Sequence, residues 1–126
     1  MQQFDIVENA NSDSRRHVPY LLVLQAPLFD GLTTRVVAPL IPAKAFGKSL
    51  VHLTPVISVA DESFVVSMAE IAGVPLAALG AKIDSVSANR LEIISALDFL
   101  FTGAWSDFDD PNIVVNRFAP PSRRAK

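Results

Sequence analysis

The sequence predicts a mainly β, α+β fold in which a compact antiparallel sheet or barrel is closed by one C-terminal helix. Three observations support this class. Apolar runs of strand length recur between Phe4 and Leu79, each bounded by Gly, Pro, Asp or Ser. One later stretch, Ser87 to Trp105, instead follows the period of about 3.6 residues expected of an amphipathic helix. The strands all precede that helix and no internal repeat is visible, the order of an α+β domain.

Taken in order, Phe4 to Val7 is a short strand, followed by a polar surface loop from Glu8 to His17. Tyr20 to Ala26 is a nearly continuous apolar strand that Pro27 stops, and Asp30-Gly31 supplies a turn. Val36 to Ile41 is a further strand. Its internal Pro39 lacks a ladder donor, which places it at an edge or a bulge. Pro42 to Leu50 is either a helical turn or a loop. Thr54 to Ala60 and Phe64 to Ala69 form a hairpin across the acidic turn Asp61-Glu62-Ser63, and Val74 to Leu79 is one more strand between Gly73 and Gly80.

Asp84, Ser85 and Ser87 offer side chains to cap the final helix. On a helical wheel Ile93, Ile94, Ala96, Leu97, Leu100 and Phe101 share one broad side, whereas Glu92, Ser95, Asp98 and Thr102 share the other. Phe99 falls among the polar positions and is expected to point outward near the helix end. Gly103 stands where a left-handed cap is expected, because glycine reaches positive φ without steric cost. This end therefore reads as a presentation site. Beyond it the chain turns acidic, Ser106 to Pro111, and then basic and proline-rich, Ala119 to Lys126. Residues 106–126 are expected to be a flexible extension of a domain spanning residues 1–105, with a short strand at Asn112 to Val115 as its one candidate element.

A chain of 126 residues suits one domain with a real core. Half its residues are hydrophobic and its mean hydropathy is +0.33, which points to apolar surface covered by a partner, most simply a second copy. A net charge of −2 provides no global field for nucleic acid or anionic lipid. The N-terminus lacks the features of a secretory signal, and runs such as Ser49 to Ala60 fall short of the about 20 residues that a membrane helix needs. A cytoplasmic protein is expected.

Catalytic chemistry finds few candidates. The chain has no cysteine, which excludes disulfides, Cys-ligated zinc and thiol catalysis. His17 and His52 are not in a ligand-like pattern, so no metal or cofactor is expected. The five glycines are scattered, leaving no phosphate loop, and no G-x-S-x-G elbow is present. Asp61 and Glu62 are adjacent and cannot face each other across a substrate. Arg15-Arg16 and Arg123-Arg124 can touch phosphates, although such pairs more often serve solubility. What remains is a surface for binding.

The stretch Thr54-Pro55-Val56-Ile57-Ser58-Val59-Ala60-Asp61-Glu62-Ser63-Phe64, continued by Met68-Ala69-Glu70-Ile71-Ala72-Gly73-Val74-Pro75-Leu76-Ala77-Ala78-Leu79-Gly80, resembles the central signature of the CcdB family of plasmid and chromosomal toxins. Val36-Val37-Ala38-Pro39-Leu40 is similar to the family's earlier strand, and Ile93 to Gly103 to its C-terminal helix. The likeness extends from Met1 to about Ala104 and is most specific in the order of Pro-strand, Asp-Glu-Ser turn and Val-Pro-strand.

The resemblance implies a homodimeric SH3-like antiparallel barrel with a small extra sheet and a long C-terminal helix. It also implies a toxin of a toxin–antitoxin system. Such a toxin binds the DNA gyrase A subunit, traps the cleaved-DNA complex, meets DNA only indirectly, and is neutralised by a CcdA-type antitoxin. These toxins are not enzymes and need no cofactor. The family's gyrase-contacting end is a Trp-Gly-Ile tripeptide, onto which Thr102, Gly103 and Ala104 align; only the glycine is kept. Trp105 follows three residues after Thr102, and family toxins typically finish where this chain continues for 21 more residues (126 − 105). The implied gyrase-binding set is Phe99, Thr102, Gly103, Ala104 and Trp105. Antitoxin contacts are not assigned, the loop Glu8 to His17 and the segment Pro42 to Leu50 being exposed candidates.

Two other readings keep the same fold class. One is a CcdB-like chain that has lost gyrase poisoning and binds only antitoxin or another partner. The other is an mRNA endonuclease of the MazF/Kid type, which needs a cationic groove that the acidic balance does not favour.

Overall fold

The computed structural model describes residues 2–26, 31–47 and 53–103. Its elements are β1 (Asp5–Asn9), β2 (Tyr20–Val23), β3 (Thr34–Pro42), α1 (Ala43–Phe46), β4 (Val56–Val59), β5 (Glu62–Val66), β6 (Ala72–Pro75), β7 (Leu79–Ser85) and α2 (Arg90–Thr102). Short 3-10 turns lie at Met68–Glu70, Leu76–Ala78 and Ser87–Asn89. The strands form one antiparallel sheet ordered β4-β5-β3-β2-β1-β7, curled into a half-barrel, with α2 at its C-terminal end. The mainly β, α+β class with a closing helix is what the chain adopts. Among the described residues no helix is long and apolar enough to cross a membrane.

The long strand β3 is the spine of this sheet. One edge pairs with β2 along Val37 to Leu40, while the other pairs with β6 at Thr34 to Val37 and then with β5 at Leu40 to Pro42. Pro39 sits where that second edge changes partner. Alternate residues of a strand address opposite neighbours, and Leu24 N–H donates to Val36 O at 2.9 Å, so Val36, Ala38 and Leu40 address β2. Pro39 addresses the other side, where its carbonyl accepts from Ser67 N–H at 3.0 Å. Ser67 immediately precedes the 3-10 turn, so the partner strand ends at the point where a donor is missing. The expected edge or bulge is thus corrected to an interior strand at a switch of partners.

Alternation also explains the unbroken apolar run after Tyr20. Ile6, Leu22, Ala38 and Leu40 face the larger core with Phe4, Ile57, Phe64, Val66, Met68, Ile93 and Ala96. Val7, Leu21, Val23 and Val37 face a smaller core on the opposite side, which Val18, Val74 and Leu79 cover. A strand buried on both faces reads as continuous hydrophobicity. The large core is the one α2 closes.

The hairpin lies where the sequence places it, with a tighter turn. Val59 pairs with Glu62 and Ser58 with Ser63, leaving only Ala60 and Asp61 between the strands. Both have positive φ, 52° and 65°, the conformation of a two-residue type I′ turn. An L-residue with a Cβ is strained in this region by about 1–2 kcal/mol. Replacing Ala60-Asp61 with Asn-Gly is therefore expected to raise stability by about 1 kcal/mol, read as a higher denaturant midpoint at unchanged slope.

Two further expectations are revised near the helix. The strand proposed at Val74 to Leu79 is in fact the end of β6, a 3-10 turn and the start of β7. Asp84 and Ser85 belong to β7 and not to a helix cap. The residue preceding α2 is Asn89, which makes no capping hydrogen bond; its Nδ2 reaches Glu92 Oε1 at 3.3 Å. Ser87 opens the preceding 3-10 turn. Strand β7 is solvent-exposed over most of its length and is held to β1 by main-chain pairing, by the Lys82–Asp5 ion pair at 3.3 Å, and by close approach. A Cβ on Gly80 would lie 3.0 Å from Glu8 Cβ and 3.1 Å from Glu8 O, tighter than ordinary contact, so a larger residue there would have to push β1 and β7 slightly apart.

The helix end as a candidate docking site

Helix α2 is seated by a narrow stripe. Ile93 and Ala96 are fully buried, with Ile94 and Leu97 packed at the margin of the same core. Its first turn is tied to the N-terminal segment: the Arg90 guanidinium lies 5.6 Å from the Phe4 ring centroid and donates to Gln3 Oε1 at 3.1 Å. Phe4 itself is held at φ 68° by two main-chain bonds, its N–H to Val23 O at 2.7 Å and its carbonyl from Val86 N–H at 2.9 Å. The start of the helix is therefore fixed by the sheet. Its last turn is not buried.

At that last turn the aromatic assignment changes. Phe101, placed on the core side by the wheel, is 72% exposed, while Phe99, expected outward, is half-buried. The two lie about 110° and 90° to either side of the arc set by Ile93 and Ala96, so periodicity alone ranks them almost equally. The neighbouring elements decide between them, and they leave Phe101 to solvent.

Thr102 and Gly103 close the helix as its polar geometry requires. Gly103 has φ 69° and ψ 12°, the left-handed cap expected of it, and its N–H donates to Phe99 O at 2.9 Å. Thr102 Oγ1 donates to Asp98 O at 2.6 Å, satisfying another terminal carbonyl. Both residues are exposed. Nothing lies within 4 Å of a Cβ built on Gly103, so a substitution there meets no clash and only conformational cost. Gly103→Ala is expected to cost about 1 kcal/mol in thermal unfolding. Ala104, Trp105 and the extension 106–126, including the candidate strand at Asn112 to Val115, lie outside the described residues.

Elsewhere the chemistry is sparse. No group of three or more His, Cys, Asp or Glu converges among the described residues; His17 is an exposed loop residue and His52 is outside the described set. Asp61 and Glu62 are exposed at the hairpin. The loop after β1 is organised by Asn9, whose Nδ2 donates to Ser14 Oγ at 2.9 Å and Val18 O at 2.8 Å while its Oδ1 accepts from Asn11 N–H at 3.0 Å. Glu8 and Asn9 belong to β1, so the loop starts later than the sequence indicates. Arg15 and Glu8 line an open depression beside Tyr20, and Arg16 is exposed next to it. Within Pro42 to Leu50 a single helical turn, α1, forms, with Lys44 and Ala45 exposed.

A half-barrel closed by a helix with a glycine-capped, projecting end is the setting for the comparison with known families. The family model described as CcdB protein matches residues 3–103. The chain belongs to the CcdB family. That match takes in every described strand and helix and ends on Gly103, the left-handed cap. CcdB membership places the chain among the toxins of toxin–antitoxin systems. A comparison with curated proteins finds no match.

Proposed function

We propose that this CcdB-family chain is a gyrase-directed toxin that acts by binding. Residues 1–105 form the toxin domain, which pairs as a cytoplasmic homodimer, and residues 106–126 extend beyond it. The end of α2 presents Phe99, Thr102, Gly103, Ala104 and Trp105 to the DNA gyrase A subunit near the twofold axis, trapping the cleaved-DNA complex, and a CcdA-type antitoxin neutralises it. The observation that carries this reading is the family match up to the exposed, left-handed Gly103. Phe101 joins the set as the exposed aromatic of the last turn. An interface of this kind draws its strength from a few aromatic anchors, so no catalytic group is required.

Induced expression in a bacterium without the antitoxin tests this directly. Growth arrest that co-expression of a CcdA-type antitoxin relieves is expected; normal growth at confirmed expression contradicts the proposal. Thr102 favours a second reading. Its hydroxyl is turned back to Asp98 O, and it offers no π face where the family tip carries tryptophan. A chain with a drifted tip binds a CcdA-type peptide and leaves gyrase untouched.

A further inference from the structure

The two most exposed large apolar side chains among the described residues are Leu91, at 78%, and Phe101, at 72%, and both belong to α2. With half-buried Ile94 between them they follow spacings of three and seven residues, which on a helix makes one slanting stripe. The stripe runs about 15 Å along the axis. Leu91 and Phe101 lie away from the side that Ile93 and Ala96 bury, while Ile94 marks the margin where the helix meets the core. Acidic Asp98 lies on the same outer part of the helix, about 20° from Leu91 and about 60° from Phe101 around the axis.

We propose that the chain's own C-terminal segment, Ile113-Val114-Val115-Asn116-Arg117-Phe118, docks along this stripe. Three properties of the sequence select it over other occupants. Its apolar residues begin at Ile113 and end at Phe118, a length of about 17 Å when extended, which matches the stripe. Nine residues lie between Gly103 and Ile113, and ten Cα–Cα steps of coil give a root-mean-square span of about 17 Å, so the segment is held at an effective concentration in the millimolar range. Residues 111–126 contain Arg117, Arg123, Arg124 and Lys126 and no acid, complementing Asp98. A second copy of the chain has no such tether. The docking stands whether or not the helix end binds gyrase; the two share Phe101, so a docked extension competes with that contact.

The absence of cysteine allows a clean test in the full-length protein. A nitroxide is attached through Asn116→Cys and paramagnetic broadening of the backbone amides is recorded. Broadening concentrated on residues 91–101 is expected, with its loss in both Leu91→Asp/Phe101→Asp and Phe118→Asp. The helix variant changes only exposed side chains, and the tail variant leaves every described residue intact, so each retains a dispersed amide spectrum. A 1:1 mixture of isotope-labelled chain without nitroxide and unlabelled chain with it is expected to show weaker broadening than the chain that carries both labels, because the effect there must cross the proposed dimer. The proposal is overturned by an unbroadened α2, by broadening that persists in Phe118→Asp, or by broadening of α2 in the mixed sample as strong as within one chain, which assigns the stripe to a second copy.

Discussion

Phe64→Ala is expected to lower the unfolding free energy by about 3–5 kcal/mol, the range for removing a fully buried aromatic ring. Phe64 is 2% exposed at the centre of β5, opposite Ile57 on one side and Pro42 on the other. Its ring meets Tyr20 edge to face, with centroids 5.3 Å apart and planes at 68°. That contact joins β5 to β2 across the curl of the sheet, so the loss includes an aromatic pair as well as a cavity. A domain of this size has about 5–15 kcal/mol of stability in total, so the substitution removes a large share. Denaturant unfolding of Phe64→Ala beside Phe101→Ala provides an internal control: the exposed Phe101 is expected to cost no more than about 0.5 kcal/mol. Similar losses at the two positions would contradict the placement of the core.

Trp105→Ala is expected to weaken binding to the gyrase A subunit by roughly 30-fold or more, the ~2 kcal/mol threshold of an interface anchor. Trp105 is the chain's one tryptophan and the only indole near the position where the family tip carries one. An indole combines a large apolar surface with a π face for a cation, and alanine removes both. Asp61→Asn on the hairpin turn is the matched control and is expected to leave affinity unchanged. Titration of the gyrase A subunit with each variant separates the outcomes, and unaltered binding by Trp105→Ala would remove this residue from the contact set.

The fold was legible wherever burial imposed a pattern on the sequence. Leu21 to Leu24, Ile57 to Val59 and Phe64 to Val66 are buried runs or alternations, and each lies within a segment assigned to a strand. Strand β7 carried no such signal. Lys82, Ile83, Asp84 and Ser85 are exposed and owe their conformation to the β1 backbone, a partner distant in sequence, so their polar residues resembled a helix cap. Pro39 misled for a related reason: its missing donor falls at a junction between two neighbours that local sequence does not reveal.

At the candidate site, Gly103 was legible because glycine has a particular use at a helix terminus. The two aromatics were not, since Phe99 and Phe101 flank the core arc almost symmetrically and tertiary packing selects between them. Spacing also carries no information about which macromolecule a projecting helix end meets. The family signature from Thr54 to Gly80 is what motivates the gyrase proposal.

The central claim is tested most directly by mixing the purified full-length protein with DNA gyrase and supercoiled DNA and trapping the products with detergent and protease. The account predicts cleaved DNA that increases with the amount of protein and disappears when a CcdA-type antitoxin is added first. Uncleaved DNA at every protein concentration, with no association between the chain and the gyrase A subunit, would contradict it.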